Sequence, residues 1–366
     1  MTNSNFLDED QPYRLLDGAT GEALAVYREM AHLRKIAGDP AVSLETRLDA
    51  FEDILDSEIG DTSLIRGRNI EREIGIRQVY LKFEGGNPTG TQKDRIAFAQ
   101  ALDAMRRRFD FITVATCGNY GVALSLASSL AGLGCIIFIP QNYHSKRIKE
   151  MKDLGAEVIR TPGDYESAVT ISKETALKKE YYDANPGGNN TSLQLRSYGQ
   201  IAYEVYDELR DAPHAVAVPV SNGTTLAGIY RGFLSLYRRG KTSRMPRMVA
   251  GSSFNKNPII QAYLKNTPTC EDLKPQSIRE TQINEPLVNW HAIDGNPALE
   301  AIRQTNGWAG NASDKNMIHF SRLIRDKEGL QVLPSSTAGL IGLIDRHKRE
   351  ALPNDRYVVV LTGRRS

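Results

Sequence analysis

The sequence is poor in cysteine and histidine. It has three cysteines, Cys117, Cys135 and Cys270, at wide spacing, and six histidines without an H-x-x-x-H pair. Metal sites and disulfide frameworks need closely spaced or paired ligands, so we expect neither. Unpaired cysteines are typical of a reducing compartment, and we therefore expect a cytoplasmic protein.

Strong net charge and long hydrophobic runs are also missing. The chain has 46 basic and 44 acidic residues, which gives a formal net charge of +2. A nearly neutral chain has no broad positive field for nucleic acid or a membrane surface. No apolar run reaches the length of a transmembrane helix, and the polar N-terminus does not resemble a signal peptide. A small molecule is the expected partner.

Short apolar segments alternate with helical patterns from about residue 61 onward. The predicted strands are Gln78–Phe83, Phe111–Ala115, Cys135–Pro140, Glu157–Arg160, Ala215–Val220, Met248–Gly251 and Arg356–Leu361. This alternation predicts an α/β fold of parallel sheets with helices on both faces. Residues 1–59 read instead as two helices, over 21–37 and 44–59, that extend the N-terminus. A chain of 366 residues can bury the cores of two domains.

The segment N-P-T-G-T-Q-K-D-R, Asn87–Arg95, is the most informative in the chain. Its turn precedes a predicted helix over Asp94–Met105, so Lys93 lies at a helix N-terminus. The positive end of the helix dipole favours the neutral, nucleophilic form of an amine there. Such a lysine can form a Schiff base with an aldehyde cofactor.

Two further segments run from strand through a glycine turn into a helix. In the first, Val114–Gly121, the turn precedes a predicted helix over Val122–Leu130. Its backbone N–H groups suit a carboxylate, and the Asn119 amide can donate to a ring oxygen. In the second, Ala215–Gly228, the turn S-N-G-T-T has the free amides and hydroxyls that hold a phosphate.

These segments resemble pyridoxal-phosphate enzymes of the tryptophan synthase β fold type, and most closely the threonine synthase branch. Lys82–Arg95 is similar to the family's K-x-E-x-x-N-P-T-G-S-F-K-D-R segment. Cys117–Gly121 resembles its S-G-N-x-G substrate loop, and Ser221–Thr225 its G-N-G-T-T phosphate loop. Glu328–Ser336 and Val359–Gly363 resemble two late motifs, the second with a threonine that faces the pyridine nitrogen.

The resemblance implies fold type II, with two parallel-sheet three-layer domains, a homodimer, and pyridoxal 5'-phosphate as cofactor. A large cofactor-binding domain would comprise 60–98 and 201–366, and a smaller mobile substrate domain 99–200. Lys93 would be the catalytic, cofactor-linked lysine that removes the α-proton of an amino acid. The other implied cofactor contacts are Asn119, Ser221, Asn222, Gly223, Thr224, Thr225 and Thr362. The implied substrate contacts are Asn87, Thr89, Thr116, Cys117, Gly118 and Tyr120.

Departures from the family pattern leave the substrate open. Gln92 replaces the usual phenylalanine, Cys117 the loop serine and Ser221 the first glycine of the phosphate loop. Asn185-Pro186 lacks the following arginine that threonine synthases carry, and Lys82, Arg196 and Arg364 are other basic candidates for an anionic leaving group.

Three interpretations follow from these departures. The first is the threonine synthase reaction, from O-phosphohomoserine to threonine and phosphate. The second is β-elimination or β-replacement on a serine-like substrate, as in cysteine synthases and serine or threonine dehydratases. The third is a cofactor-binding homologue without turnover. A dinucleotide-binding protein is disfavoured, because no G-x-G-x-x-G follows the first strand.

Overall fold

Strands and helices alternate along the chain in the computed structural model, which describes residues 31–116, 118–141, 143 and 147–365. The strands are β1 Leu64–Arg66, β2 Val79–Phe83, β3 Phe111–Ala115, β4 Gly134–Pro140, β5 Glu157–Thr161, β6 Tyr182–Asp183, β7 Ala215–Pro219, β8 Arg247–Ser253, β9 Trp308–Ala312 and β10 Tyr357–Leu361. The helices are α1 Leu44–Glu58, α2 Arg68–Ile74, α3 Lys93–Arg106, α4 Asn119–Ala131, α5 Arg147–Asp153, α6 Tyr165–Lys179, α7 Thr191–Leu209, α8 Thr224–Arg238, α9 Pro258–Lys265, α10 Gly295–Gln304, α11 Asp314–Glu328 and α12 Ala338–Arg349.

Two compact units account for these elements. The first unit contains the described residues up to Gly60 together with Asn87–Thr89 and Lys93–Pro186. The second contains Asp61–Gly86, Gly90–Gln92 and the chain from Gly187. The domain boundaries inferred from the sequence stay a prediction, because they concern which parts move, whereas these units reflect packing alone.

The second unit is built on a six-stranded sheet in the order β1-β2-β10-β7-β8-β9. All neighbouring strands are parallel except β1, which pairs antiparallel with β2 at the edge. Every residue of β7 and β10 is buried, so both faces of the sheet are covered, as parallel strands require. One face packs its valines and leucines against α12 and α11.

The first unit contains a four-stranded parallel sheet in the order β5-β4-β3-β6. Its central strands β3 and β4 are buried over nearly their whole length. Residues 31–38 are helical, and they and α1 are bound to the rest of this unit by Arg47, which donates to Ala37 O at 2.9 Å and to Ala131 O at 2.8 Å. The N-terminal helices therefore satisfy carbonyls at the C-terminal end of α4.

The predicted α/β class with parallel sheets is confirmed, and most predicted strands agree within two residues. Three strands were not predicted: β1, β6 and β9. β6 has two residues, and β9 reads W-A-G-N-A, in which Gly310 interrupts the apolar pattern. A Cβ on Gly310 would lie 3.4 Å from Gly342 Cα, which is an ordinary van der Waals contact with α12. The predicted start of α4 at Val122 was wrong, because the helix already begins at Asn119.

The first predicted helix, 21–37, lies partly outside the described residues. Among the described helices, none is both long enough and apolar enough to cross a membrane.

Helices α7 and α8 approach each other through glycines. A Cβ on Gly232 of α8 would lie 2.4 Å from Gly199 O and 2.7 Å from Ala202 Cβ of α7. A Cβ on Gly228 would lie 2.7 Å from Tyr198 Cβ. Because the N-terminus of α8 follows the S-N-G-T-T turn, this glycine contact fixes the helix that carries the turn.

We predict that Gly232→Ala lowers the free energy of unfolding by about 1–3 kcal/mol, because the added methyl group forces α7 and α8 apart. Chemical denaturation measures the effect. Arg231→Ala is the matched control, since Arg231 is exposed on the same helix. Equal denaturation midpoints for the two variants would show that the helices are not in this close contact.

Candidate active site

The turn before Lys93 is held by backbone hydrogen bonds to the C-terminal segment. Thr91 and Gly363 form an antiparallel bridge, and Gln92 N–H donates to Thr362 O at 3.0 Å. Arg364 N–H donates to Gly90 O at 2.8 Å. Lys93 follows directly as the first residue of α3, as the sequence predicted.

Asp94, which follows Lys93, organises the start of the turn. It is fully buried, and its carboxylate accepts from Thr89 N–H at 2.9 Å and from the Thr89 hydroxyl at 2.8 Å. The amide oxygen of Asn87, also fully buried, accepts from Gly60 N–H at 3.1 Å. The side chains of Thr89 and Asn87, which the sequence assigned to substrate binding, thus make hydrogen bonds that shape the turn. Their role as substrate contacts stays a prediction.

Thr362 ends the last strand and lies beside Ser336. The two hydroxyl oxygens are 3.2 Å apart, and Ser336 Oγ also accepts from Gly363 N–H at 3.1 Å. Ser336 is fully buried, whereas Thr362 is half-buried. Ser336 thus lies beside the hydroxyl that the sequence assigned to the cofactor ring, and the ring contact of Thr362 stays a prediction.

The S-N-G-T-T turn joins β7 to α8. Gly223 caps the helix at φ +91°, and the first intrahelical bond is donated by Ala227 N–H to Gly223 O at 3.0 Å. The N–H groups of Thr224, Thr225 and Leu226 therefore precede the hydrogen-bonded ladder, at the positive end of the helix dipole. This is the usual arrangement for binding a phosphate.

Asp294 supports this turn from the start of α10, and sequence reasoning missed it. Its N–H donates to Asn222 O at 3.0 Å, and its carboxylate accepts from the Thr224 hydroxyl at 2.5 Å. Asn289 donates from its side chain to Asn222 Oδ1. No motif indicated Asp294, because it acts from 70 residues away through the fold. The Thr224 proton is thus directed to Asp294, and the predicted phosphate contact of the Thr224 side chain stays a prediction.

The predicted carboxylate loop lies between β3 and α4, and Cys117 lies outside the described residues. Thr116 N–H donates to Phe138 O at 3.1 Å, and Gly121 N–H donates to Gly118 O at 3.0 Å. The N–H groups of Asn119 and Tyr120 precede that first bond of α4. Of the N–H groups in the described part of the loop, that of Thr116 is therefore already bonded, and carboxylate binding by this loop stays a prediction.

The hydroxyl of Tyr120 is turned into the first unit. Its oxygen lies 2.9 Å from Ala184 O and within hydrogen-bond distance of Gln100 Oε1, so its single proton is donated to one of these two acceptors, and the side chain is buried. Its hydroxyl thus stabilises the fold, and a contact of Tyr120 with substrate would involve its backbone N–H. The contact of the Tyr120 backbone with substrate stays a prediction.

Asn119 is the first residue of α4, and its side chain is bound by an arginine. Arg147 donates to Asn119 Oδ1 from Nε at 3.1 Å and from Nη2 at 2.8 Å. Sequence reasoning missed Arg147 as well, although it follows strand β4 at the carboxyl edge of the same sheet, where a site residue is expected.

Lys82, one of the candidates for binding an anionic group, is structural. It is 1% exposed, pairs with Glu204 at 2.5 Å and donates to Thr62 O. The described cysteines are equally unsuited to chemistry, because burial raises the pKa of the Cys135 thiol to about 12 and that of Cys270 to about 11. Within the described ranges, no three His, Cys, Asp or Glu side chains are grouped to hold a metal ion.

Comparison with known proteins decides the family. Residues 55–363 match the family described as pyridoxal-phosphate dependent enzymes. The chain belongs to this family. It is 28% identical to the threonine synthase of Methanocaldococcus jannaschii over 305 residues, which cover 83% of the chain and 74% of that enzyme. It is also 28% identical to the threonine synthase of Bacillus sp. (strain ULM1), over 83% of the chain and 82% of that enzyme.

Solved structures of the same fold agree. The maize serine racemase superposes with a TM-score of 0.71 at 16% identity, over 87% of this chain and 94% of that one. The processed form of threonine deaminase isoform 2 from Solanum lycopersicum superposes with a TM-score of 0.72 at 16% identity, over 90% and 86%. The predicted fold type, the cofactor and the resemblance to threonine synthases are therefore confirmed.

The described residues fit pyridoxal phosphate. A Cβ on Gly223 would lie 2.7 Å from Asp294 O and 2.8 Å from Ala298 Cβ, so only glycine leaves the S-N-G-T-T turn in this form. With the first N–H groups of α8, this turn has the geometry that suits a phosphate, and its role as the cofactor's phosphate site stays a prediction.

We predict that Gly223→Ala weakens cofactor binding by about tenfold or more, because the methyl group displaces the turn from Asp294. Equilibrium dialysis with pyridoxal phosphate measures the dissociation constant. Gly240→Ala is the matched control, since Gly240 also has positive φ, +66°, but open space around its Cβ position. Equal affinities in the two variants would contradict this phosphate site.

Proposed function

We propose that the protein is a pyridoxal-phosphate-dependent lyase or synthase that acts on an amino acid by the chemistry of threonine synthases. Its reaction would be the conversion of O-phosphohomoserine and water to threonine and phosphate. The observation that carries this proposal is the similarity to threonine synthases over 83% of the chain. The local geometry at Lys93, at the S-N-G-T-T turn and at Thr362 supports it.

Lys93 would bind the cofactor and then move protons. Pyridoxal phosphate supplies an electron sink for the charge that remains when the α-proton of an amino acid is removed. The Lys93 amine would accept that proton and return it at a later step. The backbone bond from Gln92 to Thr362 and the Asp94–Thr89 pair hold the chain on both sides of the amine.

The remaining site residues would bind and orient. The N–H groups of Asn119 and Tyr120 would bind the substrate carboxylate, and the Asn119 amide would donate to the ring oxygen. The Thr362 hydroxyl would contact the ring nitrogen. A neutral hydroxyl partner leaves that nitrogen largely unprotonated, which favours elimination and replacement over transamination.

Arg364 is the best described candidate for a negatively charged substrate group. Its backbone is anchored to Gly90 of the lysine turn, and a Cβ on Gly90 would lie 2.7 Å from Arg364 Nε. The Arg364 side chain is exposed, as is that of Arg196 on α7, and Arg364 Nη1 donates to Gly85 O at 3.4 Å. Lys82, in contrast, is buried and paired with Glu204. A guanidinium forms strong, two-pronged hydrogen bonds with phosphate, so Arg364 suits a phosphorylated side chain.

A second candidate is β-elimination or β-replacement on a serine-like substrate. The surroundings of Asn185 in the N-P segment favour it. Asn185 is fully buried, its Oδ1 accepts from Ala115 N–H at 2.9 Å, and its Nδ2 donates to Ser172 Oγ at 3.0 Å. An Asn used in this way is a structural residue of the first unit, and the arginine that usually follows in threonine synthases is missing here.

Homodimer formation and a cytoplasmic location also belong to this proposal. The first is supported by the family resemblance and the second by the unpaired cysteines. Size-exclusion chromatography with light scattering tests the dimer.

We predict that Lys93→Ala abolishes turnover, with a loss of at least about 10³-fold, because both cofactor attachment and proton transfer depend on this amine. Exchange of the substrate α-proton with deuterated water, followed by NMR, measures the loss with O-phosphohomoserine and with serine. Lys241→Ala, at an exposed lysine, is the control. A Lys93→Ala enzyme that exchanges at the wild-type rate would refute the assignment. A wild-type enzyme that exchanges no amino acid would indicate a homologue without turnover.

We predict that Arg364→Ala raises KM for O-phosphohomoserine by about tenfold or more, since it removes a charge-assisted pair with phosphate. The KM for serine should stay within about twofold. Arg365→Ala is the matched control, because Arg365 is the exposed neighbour and is bound through its backbone to Gln331 O. Equal effects on both substrates would exclude Arg364 from phosphate recognition and favour the β-type reaction.

A further inference from the structure

The side chain of Asn119 is fixed in one of its two amide orientations by Arg147. A guanidinium has only hydrogen-bond donors, so the group that faces it must be the amide oxygen, Oδ1. Two bonds meet at that oxygen, from Nε at 3.1 Å and from Nη2 at 2.8 Å. The amide nitrogen, Nδ2, then lies on the other branch of the amide.

The guanidinium is itself anchored. Its third nitrogen, Nη1, donates to the carboxylate of Glu150, one turn further along α5. The Arg147 side chain is 20% exposed, so solvent screens this arrangement less than it screens a surface pair. Arg147 thus binds Glu150 through Nη1 and Asn119 through Nε and Nη2, and its attachment to α5 sets the edge that faces Asn119.

The orientation matters because the two ends of an amide are chemically opposite. With Oδ1 turned to Arg147, Nδ2 presents donors to any acceptor on the other side. Rotation of the amide by half a turn would present an oxygen there instead, which repels an anionic oxygen. Without a fixed partner, neither orientation of a half-buried asparagine is enforced.

We propose that Arg147 is a positioning residue, which turns the Asn119 amide so that it donates to the ring oxygen of pyridoxal phosphate. The inference rests on the proposed function, in which Asn119 is that donor. A donor at the ring oxygen stabilises its deprotonated form, so its loss raises the pKa of the bound ring system. Arg147 therefore tunes the bound cofactor without touching it.

The test is a pH titration of the visible absorbance of cofactor-loaded protein, with the dissociation constant of the cofactor as a second readout. Arg147→Ala and Asn119→Ala should both move the absorbance midpoint to higher pH and weaken binding by about threefold to tenfold. Arg147→Lys keeps the positive charge but has a single donor nitrogen, so its absorbance midpoint should lie between those of Arg147→Ala and wild type. Lys149→Ala removes a charge from an exposed pair on the same helix and should leave the midpoint unchanged.

Two further variants separate positioning from a structural role. In an Asn119→Ala background, Arg147→Ala should produce no additional shift, because the donor that it positions is gone. Asn119→Asp keeps a partner for Arg147 but places a carboxylate oxygen beside the ring oxygen, so its midpoint should rise at least as far as that of Asn119→Ala.

The outcomes are distinct. A midpoint that is unchanged in Arg147→Ala, or a shift that adds fully to that of Asn119→Ala, overturns the inference, even where thermal stability falls. If Asn119→Ala leaves the midpoint unchanged while Lys93→Ala abolishes the visible band, the role of Asn119 fails but the cofactor assignment stands. A wild-type protein that develops no visible band with added pyridoxal phosphate refutes the proposed function itself.

Discussion

The proposed chemistry depends on one short stretch of backbone, the turn that delivers Lys93 to the first position of α3. Gly60 N–H binds Asn87, and the Asp94 carboxylate binds Thr89 through both its N–H and its hydroxyl. On the side of the C-terminal segment, Thr91 pairs with Gly363, and Gln92 N–H donates to Thr362 O. A lysine side chain has four rotatable bonds, so the position of its amine is well defined only if the backbone that carries it is held in place. These bonds supply that precision.

The other candidate groups are placed by the ends of parallel strands. β7 ends at the S-N-G-T-T turn, β3 at the Asn119 loop and β10 at Thr362, and helices follow the first two. In each parallel sheet the helices that follow the strands begin at the carboxyl edge, which places their first N–H groups in a favourable dipole field. Other side chains then hold these candidate groups in place. Asp294 binds the S-N-G-T-T turn, Ser336 binds Thr362, and Arg147 binds the Asn119 amide.

The sequence predicted the residues that act through local pattern. The lysine turn, the two glycine turns and the apolar strands are contiguous, so their chemistry is visible in short windows. Asp294 and Arg147 were not predicted, since each acts on a segment 70 and 28 residues away and no local pattern encodes such contacts. β9 was missed because Gly310 and Asn311 interrupt its apolar pattern. Lys82 was considered for an anionic group, although it is buried and forms an ion pair with Glu204.

The central claim is that Lys93 carries the cofactor. The most direct measurement is reduction of the pyridoxal-phosphate-loaded protein with borohydride, which makes the bond between cofactor and lysine permanent, followed by peptide mass spectrometry. The account predicts one modified peptide, with the phosphopyridoxyl mass on Lys93, and none in Lys93→Ala. Modification of a different lysine in the wild-type protein, or of none, would contradict it.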